Sequence, residues 1–125
     1  MRDWHTEQMH KMRRDEANKP LLRNPCFICN VIKRYDQVNI IEDSDNIIIY
    51  REPVSKDDIH YVFALRGHTD FRTAMKSGHL GNLLSKVADY VKKLDLLSYK
   101  VLIDASTQSY TTEEHANVQL IGHKV

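Results

Sequence analysis

The residues most able to do chemistry lie near the two ends of the chain. Cys26 and Cys29 are the only cysteines in 125 residues and stand two residues apart in Cys26-Phe27-Ile28-Cys29. Paired thiols at this spacing, in a reducing compartment, point to a metal site or a redox pair before a structural disulfide. The redox reading is the weaker, because no strand and Rossmann-like helix frame the pair. Toward the other end, His115-Ala116-Asn117-Val118-Gln119-Leu120-Ile121 alternates polar with small or apolar residues. Alternation puts His115, Asn117 and Gln119 on one face of a strand and Ala116, Val118 and Leu120 on the other. A purely structural wet face would carry Lys, Thr or Glu, so a row of imidazole and amide groups marks a face turned into a site. His60, His79 and His123 read as surface or helix-end side chains, His123 alone being placed to offer a replacement imidazole.

The elements that must carry these groups follow from periodicity. Residues 3–18 are rich in Glu, Lys, Arg, Met and Ala, which predicts an exposed helix with a narrow apolar side of Trp4, Met9 and Met12. Lys19-Pro20 and Asn24-Pro25 disfavour helix and make a connector, after which a short helix is expected over residues 27–34. Three segments rich in β-branched residues, 37–42, 46–50 and 59–65, predict an antiparallel meander with Asp43-Ser44-Asp45 as its first turn and Gly67 as its end. From Ser77 onward, Leu80, Leu83, Leu84, Val87, Val91, Leu94 and Leu97 recur at three-and-four spacing. That stripe predicts a long helix covering the sheet, to which residues 99–104 add another strand.

The class is therefore α+β: an antiparallel sheet with one long helix packed on it and an N-terminal helix, residues 1–24 forming a helical extension and 25–125 a single domain. With 42% apolar and 28% charged residues, four Gly and three Pro, the composition is that of an ordinary globular protein with a real core. A formal net charge of +1 argues against nucleic acid as a partner, and Lys11, Arg13 and Arg14 are diluted by Asp15 and Glu16. The first 19 residues lack the apolar core of a signal peptide and no stretch reaches membrane-spanning length, so a cytoplasmic protein with no membrane partner is expected.

The order of these parts resembles the histidine-triad (HIT-like) superfamily over about residues 25–122: a Cys-x-x-Cys, a helix, a meander, a strand running into His68, a long helix, a strand, and a final alternating strand. Further landmarks are Ile41-Glu42-Asp43 running into Ile47-Ile48-Ile49-Tyr50, and Pro53-Val54-Ser55. The resemblance implies a structural Zn²⁺ held by Cys26, Cys29, His68 and His115, a set that closes a tetrahedral site and leaves no open position for chemistry. It puts Asn117 where the family has the histidine that attacks the α-phosphate of a nucleotide. An amide nitrogen, its lone pair delocalised into the carbonyl, does not attack phosphorus at useful rates.

Gln119 holds the third triad position, where it resembles the galactose-1-phosphate uridylyltransferase branch. Glu52 stands near the family's acid for the ribose hydroxyls. Asp104 stands near an Asn that contacts phosphate, although a carboxylate there repels phosphate unless a cation or hydrogen bond intervenes. The loop 105–112 bears Ser and Thr, Thr112 among them, where the family usually has glycine. The expectation is a zinc-binding, HIT-like domain that takes a nucleotide or nucleotide-like phosphate through Glu52, Asp104, Thr112, Asn117 and Gln119, without a catalytic nucleophile and with a homodimer as a further candidate assembly. Two alternatives stand beside it. One is a nucleotide hydrolase or transferase with a substitute base or nucleophile; the other is a protein-interaction module on the same scaffold.

Overall fold

The computed structural model describes residues 26–34, 38–44, 46–53, 55–106 and 114–124. The expected helix over 3–18, the extension 1–24 and Thr112 lie outside the described residues. Within them the order is α1 (Phe27–Lys33), β1 (Ile40–Ser44), β2 (Ile47–Arg51), β3 (Ile59–Leu65), α2 (Phe71–Ser77), α3 (His79–Leu94), β4 (Leu96–Asp104) and β5 (Asn117–Lys124). The α+β class read from the sequence holds, and no described helix is long and apolar enough to cross a membrane.

Local chemistry sets the boundaries. The Cys26 thiol caps α1 by accepting the Cys29 backbone N–H at 3.4 Å. Asp70 caps α2 by accepting the Thr73 N–H at 2.7 Å. Gly78, at a φ of 84°, closes α2 in the left-handed conformation that glycine adopts without cost. The periodicity from Ser77 onward thus belongs to α3 alone, and α2, too short to show a period of its own, was not anticipated. At the far end Asp95 turns left-handed, with a φ of 51°, so Leu97 leaves the helical stripe for β4, where it is 72% exposed. The first strand also begins later than expected and runs through Ser44, the turn falling at Asn46, with a φ of 64°.

All strand pairings are antiparallel, and the sheet order is β1-β2-β3-β5-β4. The last strand is therefore interior, between β3 and β4. One face buries Ile47, Ile49, Phe63, Leu65, Val118 and Leu120 beneath Leu80, Leu83, Val87 and Tyr90 of α3. On the opposite face α1 covers only the β2–β3 half, packing Ile28 on Ile48 and Ala64, and Val31 on Tyr50 and Val62. Asn117 and Gln119 pair with Ala64 and Val62, so they continue this second face beyond α1. The alternation in the final strand is observed as read, with Ala116, Val118 and Leu120 fully buried on the α3 side.

A polar clasp ties the outer strand β1 to α3. Glu42 accepts hydrogen bonds from the Tyr90 hydroxyl and the Ser44 hydroxyl, each at 2.6 Å, and pairs with the Lys86 ammonium at 2.6 Å. Lys86 first, then the two hydroxyls, lowers the Glu42 carboxyl to about 2. Burial, then the Glu42 carboxylate, pushes the Tyr90 phenol up.

Candidate functional site

The first group of interest forms where α1 begins, β3 has ended and β5 is about to start. Cys26, Cys29, His68 and His115 each turn one ligand atom inward, and all four atoms lie within 4.8 Å of one another. Cys26 Sγ is 3.3 Å from His115 Nδ1; Cys29 Sγ is 3.5 Å from His68 Nδ1 and 3.6 Å from His115 Nδ1. A tetrahedral ion with bonds of about 2.0–2.3 Å sets its ligand atoms about 3.3–3.8 Å apart, and these three separations match such edges, the others reaching no more than 4.8 Å. His115 Nε2 donates to the Leu65 carbonyl at 2.8 Å, which leaves the Nδ1 lone pair facing the thiols. Burial, chiefly, and the neighbouring His68 lower the His115 pKa against the opposing pull of the Leu65 bond, which favours the neutral imidazole that a metal requires. The four residues are positioned to bind a metal.

The second group is a chain of side-chain hydrogen bonds on the face that α1 leaves uncovered. Asn117 Nδ2 donates to the backbone carbonyls of Asp104, at 3.2 Å, and His115, at 3.0 Å. Gln119 Nε2 donates to Asp104 Oδ2 and to Asn117 Oδ1, both at 3.1 Å. Either amide reversed would set oxygen against oxygen, so the network fixes both orientations. Gln119 Oε1 then needs a donor, and His60 Nε2 supplies it at 2.8 Å, with His60 Nδ1 2.8 Å from the Ser55 hydroxyl. Asp104 Oδ1 accepts from the Ser106 backbone N–H at 2.9 Å and from its hydroxyl at 2.7 Å. Asp104 and His60 are one strand away from Gln119 on either side and diagonal to it, so the strand order alone brings them within reach.

His60 is the residue that sequence reasoning misplaced. It is 6% exposed, not a surface side chain, and lies on the face shared with Val62 and Ala64. The available signal was an imidazole inside an apolar strand, which has to find hydrogen-bond partners once buried. His123 lies instead near Asp58, with its Nδ1 3.5 Å from Oδ2, exposed and six residues from Asn117, or about 20 Å along the strand. It cannot bring an imidazole to Asn117. His79 is exposed at the start of α3. Glu52 is buried just after β2, its N–H donating to the His60 carbonyl at 2.8 Å, and its carboxylate makes no hydrogen bond to Asp104, Asn117 or Gln119.

No sequence-family profile and no curated protein matches the chain. Solved structures do match. A HIT family hydrolase from Legionella pneumophila aligns with a TM-score of 0.62 at 15% identity, over 80% of this chain and 94% of the other. A histidine triad protein from Clostridium difficile gives 0.62 at 11%, over 82% and 95%. A HIT family protein from Bacillus anthracis gives 0.55 at 17%, over 80% and 74%.

Proposed function

From the HIT-like fold that this chain has, we propose that it is a zinc-stabilised domain that binds a nucleotide or nucleotide-like phosphate without transferring it. The observation that carries this reading is the contrast between the two groups. Four side chains suited to a metal converge, while Asn117, which the resemblance sets at the family's nucleophile position, is an amide whose two hydrogens are already donated to backbone carbonyls. Two thiolates and two imidazoles converging on one point favour zinc over harder ions, which prefer oxygen. When bound, zinc would cross-link α1 to the segments after β3 and before β5, with no coordination position left for substrate. Asn117, Gln119 and Asp104 would form the floor of the ligand pocket, with Glu52 and Thr112 at its margins. A Cys-x-x-Cys pair committed to a metal fits a cytoplasmic location.

A second reading, a hydrolase with a substitute base, is favoured by one observation: His60 brings an imidazole into the same network through Gln119. Turnover that survives Asn117→Ala and disappears in His60→Asn would select it. The test of the main reading is a purified chain assayed for metal content, for nucleotide-dependent rise in melting temperature, and for nucleotide turnover. One zinc per chain, stabilisation by a nucleotide and no turnover is the expected result. Stabilisation by no nucleotide would remove the ligand assignment and leave the interaction-module reading.

A further inference from the structure

The amides on the sheet face beyond α1 direct their hydrogens to neighbouring protein groups. Asn117 donates both to backbone carbonyls, and Gln119 donates both to Asp104 and Asn117. Neither amide keeps an N–H for an incoming oxygen. The His60 Nε2–H is directed to Gln119 in the same way. What these side chains have left is acceptor capacity. Asn117 Oδ1 and Asp104 Oδ2 each accept one hydrogen bond, from Gln119, and a carbonyl or carboxylate oxygen can accept another. Asp104 adds a formal negative charge, half-buried, that no cationic side chain among the described residues neutralises: Lys100, four residues away on the same face of β4, is exposed and makes no ion pair with it. A bare phosphate on this floor would set anionic oxygen against anionic oxygen in a partly desolvated place.

Resting on the nucleotide reading above, we propose that the ligand of this site is a phosphate group chelated by a divalent cation of the magnesium type, with Asp104 Oδ2 and Asn117 Oδ1 accepting the cation or its water ligands. Magnesium suits the arrangement because it is ordinarily held by one or two carboxylates together with substrate phosphates and retained waters, and needs no cage of protein ligands. One carboxylate beside one amide oxygen is then enough, since the phosphate completes the shell. Asp104 is the residue that sets this requirement. The His60–Gln119 hydrogen bond positions it indirectly, by holding the Gln119 amide with its hydrogens toward Asp104 and Asn117.

The experiment is calorimetric titration of ADP, and separately of inorganic pyrophosphate, into zinc-loaded protein, with and without millimolar MgCl₂ and with no chelator present. Both probes should bind at least about tenfold more tightly with magnesium. In Asp104→Asn the gap should close, because the charge is gone and an amide donor can meet phosphate directly; metal content and circular dichroism of the variant confirm that it is folded. Equal affinity with and without magnesium in the unaltered chain overturns this inference and leaves nucleotide binding intact. Binding of neither probe under any condition, in either protein, overturns both.

Discussion

At the scale of single residues, His115 is the group on which fold and site depend together. It is 4% exposed, presents Nδ1 to both thiols and gives its Nε2–H to the Leu65 carbonyl. Its pKa in the folded chain is lowered from 6.5, first by burial. The folded state thus favours the neutral ring, so this contribution to stability is fully present above about pH 6.5 and is lost as pH falls through the lowered folded pKa. A bound metal reinforces the effect, since protonation competes with ligation. Melting temperature and zinc release, followed with a colorimetric chelator, should change together below about pH 6.5; a flat melting temperature from neutral to pH 5 would contradict the assignment. At neutral pH a strong chelator should unfold the domain. Structural zinc contributes an apparent ~10–16 kcal/mol, comparable to or above the ~5–15 kcal/mol stability of a typical domain. Circular dichroism before and after chelation checks it.

At the scale of elements, two junctions are open to test. The Glu42 clasp holds β1, an edge strand, to α3, and the carboxyl titrates at about 2 instead of 4.5. A lowered carboxylate contributes stability that is present above about pH 4.5 and is lost as pH falls toward 2. Because the Glu42 side chain is 29% exposed, solvent screening reduces the effect to about 1 kcal/mol. Glu42→Gln should cost that amount at neutral pH, measured by urea unfolding, and should flatten the acid limb of the stability curve between pH 4.5 and 2. The second junction is the close approach of β4 to β5. A Cβ at Gly122 would lie 2.9 Å from the Ser98 carbonyl oxygen and 3.0 Å from Tyr99 Cβ. A backbone carbonyl cannot swing aside as a side chain can, so Gly122→Ala should destabilise by about 1–3 kcal/mol. Unchanged stability would mean that the two strands are free to separate there.

At the scale of the whole molecule, β4 forms an edge of the described sheet, paired with β5 on one side only. Tyr99, Val101 and Ile103 pair with Gly122, Leu120 and Val118, so they extend the apolar face that α3 covers, yet they are 51%, 39% and 49% exposed. A nine-residue edge strand with exposed apolar side chains readily pairs with another strand, and a strand pairing antiparallel with its own copy is complementary under a two-fold axis. The homodimer considered from the sequence is therefore proposed to form through β4. Size-exclusion chromatography with light scattering should give a dimer for the unaltered chain and a monomer for Val101→Lys. A monomer for both, at all concentrations, would dismiss it.

Much of this was legible in the linear chain because it is local. The Cys-x-x-Cys spacing, the alternation from His115 to Leu120, the stripe of α3 and the meander all follow from side-chain periods of two or three to four, which need no knowledge of neighbours in space. The grouping of distant Cys26 and Cys29 with His68 and His115 was implied only by the resemblance to the histidine-triad superfamily. Other features depend on which strand lies beside which. Placing β5 between β3 and β4 brings His60 and Asp104 diagonally onto Gln119, and no spacing in the sequence encodes that contact. The direction in which the Asn117 and Gln119 amides donate is likewise set by the carbonyls, carboxylate and imidazole around them. The two ends of α3, at Gly78 and Asp95, were decided by left-handed backbone turns that interrupt an otherwise continuous apolar pattern, and they divert Leu97 from the core to an exposed edge.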